Sequence, residues 1–170
     1  MKENVFLVGP MGAGKSSIGR QLARRLKRPF WDTDRELERR TGVDIPTIFE
    51  FEGEAGFRAR ERAVVDELTA LEGIVLATGG GAILDRASRQ RLKARGLTIY
   101  LRASVESQLR RTSHDRNRPL LQTPDPRQTL QALLERREPL YLEVADLVVD
   151  TDCGSVHTIV TRICTWLERR

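Results

Sequence analysis

The run Gly9-Pro10-Met11-Gly12-Ala13-Gly14-Lys15-Ser16 constrains the fold of this chain more tightly than any other stretch. It matches GxxxxGK[ST], and it lies between an apolar run, Asn4–Val8, and an amphipathic one, Lys15–Leu26. In the second run Ile18, Leu22 and Leu26 recur at four-residue spacing, which makes an apolar stripe on a helix. A strand that enters a Gly-rich loop and leaves it as a helix surrounds a polyphosphate with backbone N–H groups and the positive helix end. Lys15 is expected to reach the β- and γ-phosphates, and the Ser16 hydroxyl to coordinate Mg²⁺. Gly12, Ala13, Gly14, Lys15, Ser16 and Ser17 are therefore the expected contacts of ATP or GTP.

The remainder of the chain continues the alternation. Short apolar strands are predicted at Asn4–Val8, Pro29–Asp32, Gly73–Ala77, Leu97–Leu101 and Asp146–Val149. Helices are predicted at Lys15–Leu26, Arg35–Thr41, Gly56–Leu71, Asp85–Ala94, Ser104–Thr112, Pro126–Glu143 and Ser155–Arg169. Strands that are apolar on both faces imply a parallel sheet covered by helices on either side, an α/β three-layer domain. A length of 170 residues suits one domain, spanning 1–170. The stretch from His114 to Pro126, HDRNRPLLQTPDP, has no sustained periodicity and reads as a lid over about residues 113–125.

Composition narrows the function classes. Apolar residues at 39% and charged residues at 31% fit a globular protein, and no apolar run reaches the roughly 20 residues of a membrane span. The N-terminal apolar run stops at Gly9 and Pro10, which argues against a signal peptide. Cys153 and Cys164 make neither a disulfide framework nor a zinc spacing, so a reducing, cytoplasmic location is expected. Net charge is +5, and only four of the 29 basic residues are lysines. The arginines are scattered among glutamates, and aromatics are 5%, too few for a base-stacking surface, so no nucleic-acid partner is expected.

Phosphoryl transfer needs an acceptor hydroxyl held in line and a group to orient its proton. Asp32-Thr33-Asp34 ends the second predicted strand, where open α/β sheets bind ligands. If the strand continued, both carboxylates would point alike, one towards Mg²⁺ through water and one towards the attacking hydroxyl. An Asp here also suits a helix N-cap, which needs only one of the two. Gly79, Gly80 and Gly81 follow the third strand and permit a ligand to lie against backbone amides, or simply a tight turn. Arg58, Arg60, Arg62, Arg136 and Arg137 are all candidates for an anionic group, and spacing does not choose among them.

These pieces together resemble the shikimate kinases. The likeness runs nearly end to end, through GPMGAGKSSIGR (9–20), DTD (32–34), GEAGFR (53–58), ATGGGA (77–82), DRNRPLL (115–121) and RREPLY (136–141). It implies a nucleoside-monophosphate-kinase-like fold with five parallel strands in the order 2-3-1-4-5, a substrate-binding subregion at about 33–62, and a cytoplasmic monomer. It implies Mg²⁺-dependent transfer of the ATP γ-phosphate to the 3-hydroxyl of shikimate, a step towards chorismate and the aromatic amino acids. The resemblance also chooses among the arginines. Arg58 and Arg137 match the residues that grip the shikimate carboxylate, and Asp34 the carboxylate that contacts the ring hydroxyls and orients or deprotonates the acceptor. Gly79, Gly80 and Gly81 match glycines bordering the ring, Arg118 a catalytic lid arginine that reaches the phosphates, and Arg111 one that stacks on adenine. Ser16 and Asp32 match the Mg²⁺ side, Asp32 through water. Gly154 stands where some relatives carry glutamine, so an adenine contact from residues 152–155 must come from backbone. Gluconate kinases and nucleoside monophosphate kinases are the neighbouring alternatives; a nucleotide acceptor would call for a base pocket, whereas a carboxylated polyol needs arginines and a carboxylate.

Overall fold

The computed structural model describes residues 3–113 and 119–170. Five parallel strands form one sheet in the order β2-β3-β1-β4-β5, as the resemblance implied. They are β1 (Asn4–Val8), β2 (Phe30–Asp32), β3 (Val75–Ala77), β4 (Gly96–Arg102) and β5 (Leu147–Asp150). The helices are α1 (Lys15–Leu26), α2 (Thr33–Thr41), α3 (Ile45–Thr69), α4 (Arg86–Arg95), α5 (Val105–Thr112), α6 (Pro126–Val144) and α7 (Val156–Glu168). Strand β1 sits at the centre, with Val5 opposite Val75 on one side and Leu97 on the other.

Alternation along the strands divides the core into two layers. Val5 and Leu7 of β1, Val75 of β3, and Ile99 and Leu101 of β4 pack against Ile18 and Leu22 of α1 and Ile159 and Ile163 of α7. Phe6, Val8, Leu76 and Tyr100 face the other way, against Leu37, Val64, Leu68, Leu92 and Tyr141 from α2, α3, α4 and α6. Both faces are apolar, so these strands carry no polar side for solvent.

Helix α3 departs from the sequence expectation. It begins at Ile45 rather than near Gly56 and is broken at Gly53, whose φ of 70° and ψ of 179° are non-helical. Asp44 caps its start by accepting from the Thr47 N–H, and a proline occupies the first turn, where its missing N–H costs nothing. The segment before the break, Ile45 to Glu52, falls between the predicted helices, where Pro46, Gly53 and Gly56 interrupt the pattern. Of the expected lid, residues 114–118 lie outside the described ones; Pro119–Leu121 forms a 3-10 turn that packs on α3 and α6.

Candidate active site

The C-terminal ends of β1, β2 and β3 open into a cleft of about 390 Å³ lined by the whole run from Gly12 to Ser17. Gly12 and Gly14 have φ values of 79° and 88°, a left-handed backbone that turns successive N–H groups inward. A β-carbon at Gly12 would also press on the α5 backbone at Gln108, 3.1 Å away. Lys15 donates from Nζ to the carbonyls of Gly9 (2.7 Å) and Pro10 (2.8 Å), so its charge rests on the loop itself. Arg111 lines the same cleft and donates to the Gly12 carbonyl at 2.9 Å and the Thr151 carbonyl at 2.8 Å. Thr151 and Gly154 complete this wall.

The DTD segment corrects one expectation. The strand stops at Asp32, and Thr33 already begins α2, so the two carboxylates do not share a strand face. Asp32 is the N-cap: its Oδ1 accepts from the N–H of Asp34 (3.0 Å) and Arg35 (3.3 Å), while its Oδ2 accepts from the Ser16 hydroxyl at 2.7 Å. One residue thus ends the strand, starts the helix and faces the phosphate loop. Asp34, relieved of capping, lies in the first turn of α2 and lines both the nucleotide cleft and a second cavity. Thr33 is fully buried and accepts from the Gly79 N–H at 2.8 Å, tying α2 to the glycine loop.

The second cavity shares Met11, Asp34, Gly79 and Gly80 with the cleft. Its apolar wall comes from Ile45, Phe49 and Phe57, the two phenylalanine rings lying 4.8 Å apart. Its polar wall comes from Arg58, Glu61 and Arg137. Arg58 donates from Nη1 to Glu61 Oε1 at 2.8 Å, yet its own Nε, Glu61 Oε2 and Arg137 Nε are buried without a hydrogen-bond partner among the described residues. Burial pushes the Glu61 carboxyl up to about 7, opposed by Arg58 and reinforced by the negative Asp34. Burial likewise lowers Arg137, which is 3% exposed. Two arginines with unused donors, a buried carboxyl and Asp34 therefore surround one cavity, an arrangement suited to a small, hydroxylated anion.

The expected site residues accordingly fall into one continuous space. Gly12 to Ser17, Asp32 and Arg111 line the cleft; Arg58, Gly81 and Arg137 line the second cavity; Asp34, Gly79 and Gly80 border both. Arg118 lies outside the described residues. The glycine loop is less bare than its composition suggests, because the Gly79 N–H is already given to Thr33. Sequence reading missed Glu61, which stands three residues after Arg58 on one helix, and Tyr141, four after Arg137 on another. Those spacings place side chains on one face and were the available signal. The apolar wall at Ile45 and Phe49 was missed with the start of α3.

Ser16 and Asp32 offer a hydroxyl and a carboxylate 2.7 Å apart at the mouth of the phosphate loop. Hard oxygen donors of this kind suit Mg²⁺, which keeps several waters and takes substrate phosphates as further ligands.

The family model for shikimate kinase matches residues 11–168. A shikimate kinase of Thioalkalivibrio sulfidiphilus is 60% identical over 160 residues, covering 94% of this chain and 84% of the relative. One from Methylococcus capsulatus is 58% identical over 168 residues, covering 99% and 94%. The solved structure of shikimate kinase from Acinetobacter baumannii in complex with shikimate is 50% identical and superposes with a TM-score of 0.97, covering 99% of this chain and 94% of that one.

Proposed function

From the premise that the chain belongs to the shikimate kinase family, and so is an ATP-dependent phosphotransferase acting on shikimate, we propose how its own residues divide the work. The second cavity takes shikimate, with the ring carboxylate between Arg58 and Arg137 and the 3-hydroxyl turned towards the γ-phosphate. The observation that carries this reading is the position of Asp34, which borders both the cavity and the nucleotide cleft. Arg58 and Arg137 present planar donor forks that can hold a carboxylate in a fixed orientation. Fixing the ring selects one hydroxyl among several, and Asp34 accepts the hydrogen bond of that hydroxyl and orients or removes its proton.

On the nucleotide side, the amides from Gly12 to Ser17 cradle the phosphates, Lys15 turns from the Gly9 and Pro10 carbonyls to the transferring phosphoryl group, and Arg111 lies against the base. Arg118 is assigned to the phosphates as a lid residue. Ser16 would hold Mg²⁺ directly and Asp32 through water, the ion supplying charge neutralisation to the β- and γ-oxygens. No helix among the described residues is long and apolar enough to cross a membrane. We assign the protein to the cytoplasm as a monomer, which sedimentation at 19.3 kDa would check.

Three measurements test the reading. ADP release should be rapid with shikimate and at background with gluconate or AMP as acceptor. Arg58→Leu and Arg137→Leu should each weaken shikimate binding about 10- to 150-fold, the range for hydrogen bonds to a charged group, with ATP binding unchanged. Each variant should also lose much of the preference for free shikimate over its methyl ester. An Arg137→Leu enzyme that keeps that preference removes Arg137 from the carboxylate clamp and brings Arg136 forward instead.

A further inference from the structure

A loop of three glycines has no side chains to order it, yet it borders the acceptor cavity along one side. Its order must come from elsewhere. Gly79 gives its N–H to Thr33 Oγ1 and accepts from the Ala82 N–H at 3.1 Å; the Gly81 carbonyl accepts from the Leu84 N–H at 3.1 Å. The middle carbonyl, that of Gly80, accepts from the Tyr141 hydroxyl at 2.5 Å. Among the described residues, no hydrogen bond uses the N–H of Gly80 or Gly81.

Tyr141 is built to hold that bond. It is 1% exposed, and burial pushes its hydroxyl up to about 12, so it remains a donor at neutral pH. Its ring stacks on Tyr100 of β4, centroids 5.0 Å apart at 29°. Tyr100 donates to Glu138 Oε2 at 2.6 Å, and Glu138 pairs with Arg102 at 3.1 Å, so α6 is fastened to β4 through Glu138. Arg137 lies one turn before Tyr141 on the same face of α6, and its Nη1 is 3.3 Å from where a β-carbon on Gly80 would stand. The two hydroxyls of the stacked pair thus serve different ends: one binds helix to sheet, the other joins the glycine loop and accepts a hydrogen bond from Arg137.

We propose that Tyr141 is a positioning residue for the acceptor: by fixing the Gly80 carbonyl beside Arg137, it sets the Gly81 N–H and the arginine as one preformed binding surface. The link between carbonyl and amide is covalent. The peptide joining Gly80 to Gly81 is planar, so fixing its C=O fixes its N–H in the opposite direction. With glycine on both sides no β-carbon limits that plane, and the Tyr141 bond adds a hold on the Gly80 carbonyl itself to the flanking bonds from Ala82 to Gly79 and from Leu84 to Gly81. The inference rests on the acceptor reading above, since it assigns Tyr141 a role only if shikimate occupies this cavity.

The test compares three variants by steady-state kinetics with both substrates and by thermal unfolding. Tyr141→Phe keeps the ring stack and removes one hydroxyl. Its KM for shikimate should rise about 10-fold, the effect of one lost hydrogen bond and a loosened partner, with the KM for ATP within about twofold of wild type. Tyr100→Phe removes the neighbouring hydroxyl from the same stack; it should lower the unfolding temperature and leave the shikimate KM within about twofold. An unchanged shikimate KM in Tyr141→Phe overturns the inference. So does an equal rise for both substrates, or the same rise in Tyr100→Phe, because each means general loosening rather than positioning. Arg137→Leu separates the two levels: if it too leaves shikimate KM unchanged, the acceptor reading itself fails, whereas a large rise there beside a silent Tyr141→Phe sinks only the role of Tyr141.

Discussion

Asp32 and Asp34 carry the same side chain two residues apart, and the backbone between them gives them different work. Asp32 spends one oxygen on the N–H groups of Asp34 and Arg35 and the other on Ser16. That leaves Asp34 outside the cap, at the junction of the two cavities. Replacing Asp34 by Asn should therefore cost chemistry rather than fold. Turnover should drop about 100-fold or more, on the usual scale of a general base. Nucleotide affinity should stay at the wild-type value, since the phosphate loop is untouched. Stability should change by no more than the roughly 0.3–1 kcal/mol of a first-turn carboxylate at a helix N-terminus. Turnover, ATP affinity and unfolding temperature measured on one preparation check this; near-wild-type turnover would return Asp34 to a purely structural part.

Among the elements, the loop after β3 shows how close approach makes glycine necessary. Gly81 has an ordinary φ of −97°, so its backbone would accept alanine without strain. Yet a β-carbon there would run into the Arg58 guanidinium, with Nη1 and Cζ both 2.5 Å away. The far end of a flexible side chain can move, so Gly81→Ala should fold with an unfolding temperature within a few degrees of wild type. The displaced Arg58 would leave Glu61 and the carboxylate position, and shikimate KM should rise about 10-fold while ATP KM holds. Equal KM values for wild type and Gly81→Ala would mean that Arg58 is not needed where it stands. The same loop marks the limit of what the sequence discloses. The phosphate loop and α1 are legible because their signals are local: a fixed motif and a four-residue stripe whose predicted bounds, Lys15–Leu26, are the observed ones. The first half of α3 is illegible because Asp44 and Pro46, a start signal, sit among glycines that look like an end signal. Tyr141 and Glu61 escape notice for a different reason. The three- and four-residue spacings from Arg58 and Arg137 are their only local marks; the Gly80 carbonyl that Tyr141 meets lies 61 residues away and Asp34, which acts on Glu61, 27 away, and no local pattern records such pairings.

At the scale of the whole molecule, an apolar two-layer core supports, at the C-terminal ends of its strands, a cluster of charges whose desolvation opposes folding. Arg58, Arg137, Asp34 and Glu61 stand together, and Glu61 is 3% accessible with one oxygen that has no hydrogen-bond partner among the described residues. Its carboxyl, ordinarily near 4.5, is raised to about 7, chiefly by burial. The consequence for stability follows from linkage. A carboxyl raised on folding binds its proton more tightly in the native state than in the unfolded one. Its favourable contribution is complete below about pH 4.5, declines as pH rises through about 7, and is gone above that. A shift of this size corresponds to at most roughly 3–4 kcal/mol. Glu61→Gln keeps the shape of the protonated form and cannot ionise, so it should escape the decline. Its unfolding temperature should lie near that of wild type at pH 5 and exceed it by several degrees at pH 8, a domain of this size shifting about 2–4 °C per kcal/mol. Groups remote from Glu61 are common to both proteins and cancel in the difference. Thermal unfolding of the pair across pH 5–8 decides the matter: a gap that does not widen with pH would mean that Glu61 is ionised throughout, its charge held by Arg58 rather than neutralised by burial.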